Sequence, residues 1–145
     1  MQDRFVNGFL SGIIAFLITT PISFILVHYE LVSRSFADFA AILSLQRFPE
    51  TLAEILFGIL VEAMTSAVWA VIFAYIVLFI GSKHLWFKGF VYAGSFWYIY
   101  VLMIFFLKEV EFNVQTGLLN GLLAGFWGIV MAIAFGWLQT RIKKA

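Results

Sequence analysis

The sequence predicts an all-α fold, an integral membrane four-helix bundle, and three observations carry that expectation. Of its 145 residues, 63% are hydrophobic and only 12% charged, with a mean hydropathy of +1.02. A soluble domain of this length has no interior large enough for so much apolar surface. Four apolar stretches, about 5–28, 52–80, 86–107 and 115–138, reach the roughly 20 helical residues that a 30 Å hydrocarbon core requires. The charges between them fall into two unequal groups, as they do on the two faces of a membrane.

The first stretch, from Phe5 to Val27, is uncharged and longer than the apolar core of a signal peptide. No A-x-A-like cleavage site follows it, and it is read as a retained span. Pro21 interrupts its hydrogen bonding and frees the carbonyl of Leu17. After it, Ser35-x-x-Asp38 is a capping-box pattern that opens a short helix at about 35–47, ended by Phe48-Pro49. At about 12 residues that helix is too short to span, so it lies in the outer interface or packs on the bundle. Thr51-x-x-Glu54 is a second capping box, opening the second span and assigning Glu54 a capping role. The turn around Gly81-Ser82-Lys83 is short, which makes spans two and three antiparallel neighbours. Asn113 is the expected N-cap of the fourth span. The whole chain, 1–145, reads as a single membrane domain.

Four spans put both termini on one side. Arg4, Lys83, Lys88, Arg141, Lys143 and Lys144 lie there, with Asp3 the only acid. Opposite lie Arg34, Arg47 and Lys108 among Glu30, Asp38, Glu50, Glu54, Glu109 and Glu111. The positive-inside rule then makes both termini cytoplasmic and the outer loop extracytoplasmic, most naturally in a bacterial cytoplasmic membrane. Trp86, Trp137 and Tyr29 fit the aromatic belts, and the tail Arg141, Lys143, Lys144 is a topology anchor.

In lipid, helices associate through close contact, which small residues permit. Span one carries Gly8-x-x-x-Gly12. Span two carries Gly58, Glu62, Ser66, Ala70 and Ala74 at steps of four, and span three Gly89 and Ala93. Span four carries two seams, Gly117, Gly121, Gly125 and Gly128, Ala132, Gly136, giving room for two partners. One candidate is span one; the other is span two or a neighbouring protomer. The hexapeptides NGFLSG (7–12) and NGLLAG (120–125) are identical at four of six positions and could pack antiparallel. Asn7 and Asn120 then fall at opposite membrane faces, so the pair builds no symmetric site.

Glu62, in GILVEAMTSAVW, is the residue most suggestive of chemistry. An intramembrane acid is costly and must be protonated, paired or hydrated. Counting depth at about 1.5 Å per residue gathers a polar layer of Thr19, Thr20, Glu62, Thr65, Tyr100 and Asn120. In one reading Glu62 binds a proton or cation beside a solute site; in the other it is polar glue between helices. Span three is strongly aromatic, with Tyr92, Phe96 and Tyr100 on one face, which suits either packing or a lipid- or quinone-type apolar ligand.

Other chemistry finds no support. There are no cysteines, and His28 and His84 fall on opposite faces, so no metal site or histidine-held haem is expected. No GxSxG, HExxH or phosphate-binding loop occurs, and a net charge of +1 argues against nucleic acid. The expectation is therefore no enzyme and no cofactor.

The stretch Asp38-Phe39-Ala40, Phe73-Ala74-Tyr75 late in span two, Lys88-Gly89 opening span three, Trp97 and the glycine-rich fourth span together resemble a loose group of small four-span membrane proteins of Gram-positive anaerobes. The resemblance implies a fold and a membrane location; the group has no assigned activity, so no functional residues transfer.

Two function classes follow. One is a non-enzymatic membrane subunit or scaffold, with the bilayer and another subunit or a second copy as partners. The other is a small-solute transporter or channel using Glu62. An apolar-ligand binder stands as a further alternative.

Overall fold

A computed structural model of the chain describes residues 3–105 and 113–141. The charges Lys108, Glu109, Glu111, Lys143 and Lys144, the Arg141 side chain and the end of the third apolar stretch lie outside the described residues. The described residues form five helices and no strands: α1 (Arg4–His28), α2 (Phe36–Leu45), α3 (Leu52–Ile80), α4 (Leu85–Phe105) and α5 (Val114–Arg141). Three of them, Arg4–His28, Leu52–Ile80 and Val114–Thr140, are long and apolar enough to cross a bilayer. Their outward faces stay apolar, with Leu17 62%, Leu60 60% and Phe79 89% exposed, as lipid contact requires.

The helix ends follow local chemistry. Asp3 caps α1 by accepting from the Val6 amide at 3.1 Å. Both capping boxes form: Ser35 with Asp38 on α2, and Thr51 with Glu54 on α3. Glu54 also pairs with Arg47. Helix α2 stops at Leu45, short of the proline, because Gln46 turns left-handed at φ 57° and closes the last turn onto the Ile42 carbonyl. At the other end, Lys88 Nζ donates to the carbonyls of Ile80 (2.7 Å) and Gly81 (2.9 Å), satisfying the terminal acceptors of α3. Asn113 Oδ1 accepts from the Gln115 amide at 2.9 Å, the expected cap of α5.

The glycine seams are used, but not in the expected pairings. Gly8 and Gly12 of α1 press on the α3 backbone at Ser66, Ala67, Ala70 and Val71. Gly89 of α4 meets Gly128 and Ala132 of α5. Gly121 faces the Trp97 ring, Gly125 the Phe90 ring and Gly136 the Leu85 side chain, so both seams of α5 face α4. The two hexapeptides therefore do not pack on each other: one belongs to the α1–α3 pair, the other to the α4–α5 pair. Matching small faces specify close approach, and the large residues around them decide which helix approaches.

Helices α1 and α5 also touch, giving a spatial order α3, α1, α5, α4. The sequence neighbours α3 and α4 run antiparallel but meet through ring contacts instead of backbone approach. Trp69 and Phe96 lie 4.0 Å apart and Phe73 and Tyr92 5.2 Å, holding the two backbones apart. One core, Ala15, Ala70, Phe73, Ala74, Val77, Met131, Ala132 and Phe135, fills the Arg4 end. A second, Phe39, Ile42 and Trp97, fills the α2 end.

Of the two placements open to the short helix, packing on the bundle is the one observed. Ala37, Phe39, Ala40, Ala41 and Ile42 are buried, and Gly58 of α3 touches the Ala37 carbonyl carbon and the Ala41 side chain. The loop leading to it is tied down by polar groups. Ser33 bonds Thr116 through its amide (3.0 Å) and hydroxyl (3.1 Å), Gln115 donates to the Leu31 carbonyl, and Ser23 accepts from the Phe36 amide.

Candidate functional site

The packing face of α3 changes partner along its length. Ser66, Ala70 and Ala74 lie against the α1 glycines, while Gly58, two turns earlier, lies against α2. Glu62 falls between these contacts along the helix. Its side chain is only 8% exposed. Thr20 of α1, 5% exposed, donates from Oγ1 to Glu62 Oε1 at 2.7 Å. Glu62 Oε2 is buried with no partner among the described residues.

Beside Glu62, the separation of α3 and α4 leaves a cavity of about 150 Å³ between the two cores. Glu62, Thr65, Ser66 and Trp69 of α3 form one wall; Tyr92, Phe96, Trp97 and Tyr100 of α4 form the other. Ala124 and Trp127 of α5 form the back, and Phe36 and Ala40 of α2 the roof. Ile99 and Met103, 52% and 54% exposed, form the rim, so the cavity opens sideways between α3 and α4.

The aromatic walls are fixed by their own polar atoms. Tyr92 donates its hydroxyl to the Trp69 carbonyl at 2.8 Å, tying α4 to α3 below the cavity. Trp97 donates its indole N–H to the Gly117 carbonyl at 3.0 Å, and its ring packs on Phe36 and Phe39 of α2. Trp97 and Tyr100 stack at 6.2 Å. By contrast, the indole N–H of Trp127 is buried without a partner among the described residues. The cavity is thus an apolar slot whose lining includes two residues with unanswered polar atoms, Glu62 and Trp127.

Of the six residues placed in one polar layer by depth, four come together: Thr20 bonds Glu62, and Thr65 and Tyr100 line the same cavity. Two do not. Thr19 turns its hydroxyl back to the Ala15 carbonyl at 2.9 Å. Asn120 donates from Nδ2 to the Arg34 carbonyl at 3.2 Å, holding the loop before α2. Sequence reasoning missed Trp69, Ser66 and Trp127 as cavity residues. For the first two a signal existed: Thr65, Ser66 and Trp69 follow Glu62 by three, four and seven residues, the spacing of one helix face. Trp127 carried none. Among the described residues, no group of three or more histidines or acids is placed to hold a metal.

No protein-family model matches the chain, and neither a curated protein nor a solved structure matches it.

Proposed function

We propose that this chain is a four-span membrane protein, with both termini cytoplasmic and α2 at the outer end, that binds an apolar ligand from the bilayer in the α3–α4 slot. Helix α4, 21 described residues long, is the fourth span, packed antiparallel on α5 through Gly89 and Gly128. Arg4, Lys83 and Lys88 at one end and Asp38, Glu50 and Glu54 at the other supply the charge asymmetry behind the orientation.

One observation carries the ligand reading: an aromatic-walled cavity opens sideways beside the buried Glu62. Concave apolar sites with a few convergent polar groups are where small molecules bind. The scaffold reading drew on the Gly-rich helix seams, with packing inside the chain and packing on a neighbouring copy both open. Gly8, Gly12, Gly58, Gly121, Gly125 and Gly128 instead meet residues of this chain, so those seams offer no open docking face.

Photo-crosslinking tests the proposal. A phospholipid with a photoactivatable acyl chain, in nanodiscs holding the protein, should label Ile99, Met103 and Trp69 above the outward-facing Leu17, Leu60 and Phe79. Thr65→Trp, which fills the slot, should remove that enrichment. Even labelling of all apolar faces would sink the idea.

A further inference from the structure

The middle of a membrane span offers a polar side chain no water, so its partner must come from protein. In α1, α3 and α5 burial meets that requirement: Ser11, Thr19, Thr20, Ser23, Glu62 and Asn120 are all buried. Helix α4 departs from it. Tyr98 is 67% exposed, and Ser95 is exposed as well. With Phe87, Val91 and Leu102, also exposed, they form one stripe within about 80° of arc at 3.6 residues per turn.

Depth makes these two hydroxyls costly. Ser95 and Tyr98 stand about 15 and 20 Å along α4 from Leu85, at 1.5 Å per residue. In a hydrocarbon core of about 30 Å, each is then about 10 Å or more from either boundary. Helical side chains lean toward the N-terminus, which for Tyr98 is toward the bilayer centre and away from the nearer boundary. Its hydroxyl therefore does not reach the headgroups, as the tyrosines of an aromatic belt do.

The pair is complementary. Tyr98 makes no hydrogen bond among the described residues, so its O–H is an unanswered donor. Ser95 donates to the Val91 carbonyl at 2.8 Å, and its oxygen can still accept. Acyl chains supply neither function. The lean of the tyrosine carries its hydroxyl back to about the level of Ser95. Copies of one membrane protein share orientation and depth. A two-fold axis along the membrane normal therefore sets Tyr98 of each copy level with Ser95 of the other, the reciprocity that an isologous contact requires. The small Ser95 also lets the two backbones approach.

We propose that this outward face of α4 is the interface of a homodimer, in which Tyr98 of each copy donates to Ser95 of the other. The proposal rests on α4 crossing the bilayer, as proposed above, and is independent of what the slot binds.

Energy transfer in liposomes tests it. Protein carrying donor or acceptor dye at Ser82→Cys, exposed in the α3–α4 turn, is diluted over a range of protein-to-lipid ratios to give the dimer dissociation constant. Tyr98→Phe should raise that constant about eightfold, the loss of two interhelical bonds of ordinary intramembrane strength. Ser95→Ala should do the same. The double variant should be no weaker than either single one, because all three lose the same two bonds. On oxidation, single cysteines at Val91 and Leu102 should trap disulfide-linked dimers, whereas Leu60→Cys on α3 and Leu122→Cys on α5, also exposed, should not. Transfer no greater than chance proximity at every ratio overturns the proposal. A dimer indifferent to both hydroxyl variants, or trapped through Leu60 or Leu122, also overturns it by placing the contact on another face. If Val91→Cys in native membranes traps a different protein and no second copy, the face belongs to a foreign subunit and the homodimer fails. The premise has its own readout: Asn113→Cys, exposed at the start of α5, should react with a membrane-impermeant maleimide from outside intact cells. Labelling only after permeabilisation refutes α4 as a span, and the interface with it.

Discussion

Thr20 on α1 and Glu62 on α3 share a 2.7 Å hydrogen bond in which the hydroxyl donates to the carboxyl, and both side chains are more than nine-tenths buried. The bond joins the two helices just beyond the zone where Gly12 lets their backbones touch. It also leaves the second carboxyl oxygen, Oε2, without a partner among the described residues.

Removing the Thr20 hydroxyl should therefore cost stability where removing its neighbour's should not. Thr20→Val is expected to lower stability by about 1 kcal/mol, within the range of intramembrane hydrogen bonds. Thr19→Val loses only a bond back to its own helix and should stay within about 0.5 kcal/mol of the parent. Denaturant unfolding in detergent reads both. An equal cost for the two variants would deny the bond its bridging role.

Among the described glycines inside helices, most meet a neighbour closely and Gly94 does not. A Cβ at Gly12 would stand 2.7 Å from the Ala67 Cα and 2.8 Å from the Ala70 Cβ, so α1 must move away from α3. Gly12→Ala is expected to destabilise by about 1–3 kcal/mol, as overpacking does. At Gly94 nothing lies within 4 Å of an added Cβ. Gly94→Ala should be neutral, or stabilising by up to about 1 kcal/mol through helix propensity. A reversed order in thermal unfolding would contradict the α1–α3 packing.

Membrane orientation can be read chemically because the chain contains no cysteine. Single cysteines at Glu50, exposed beside α2, and at Ser82, exposed in the α3–α4 turn, report the two ends. A membrane-impermeant maleimide should label Glu50→Cys on intact cells and Ser82→Cys only after permeabilisation. The opposite pattern would invert the proposed topology.

The roof of the slot depends on a cap. Ser35 is fully buried, and its hydroxyl accepts from the Asp38 amide at 3.1 Å. Ser35→Ala should cost about 1 kcal/mol, typical of a lost N-cap. Ser44→Ala removes only a bond to the Ala40 carbonyl on its own helix and should cost little. Urea or guanidinium titration of both variants decides between a cap that matters and one that does not.

What was legible in the sequence divides along physical lines. Both capping boxes, Ser35 with Asp38 and Thr51 with Glu54, could be read because a cap is made within four residues of chain. Gly8 and Gly12 announced a close approach, but not to which helix, since that choice is made by residues distant in sequence. Depth counting brought Thr20, Thr65 and Tyr100 to Glu62, but it ignores rotation about the helix axis. Thr19 lies about 100° round the helix from Thr20 and so faces elsewhere. Asn120 was at a fitting depth, yet the loop before α2 folds down and takes its side chain. The opening between α3 and α4 was the least visible feature. A short turn normally implies close neighbours, and only the coincidence of Trp69, Phe73, Tyr92 and Phe96 at facing positions separates these two.

That separation has a mechanical corollary. The flanking helices are joined at one end by the four residues Gly81–His84 and by Lys88 clasping the last carbonyls of α3. At the other end α2 bridges them, touching Gly58 of α3 and the Trp97 ring of α4. The gap therefore resembles a window in a frame closed at top and bottom. Its height is set by covalent structure and by α2, and only its middle can bow outward as rings turn. On the proposed ligand reading, entry through it would be in the plane of the membrane, at right angles to the helix axes.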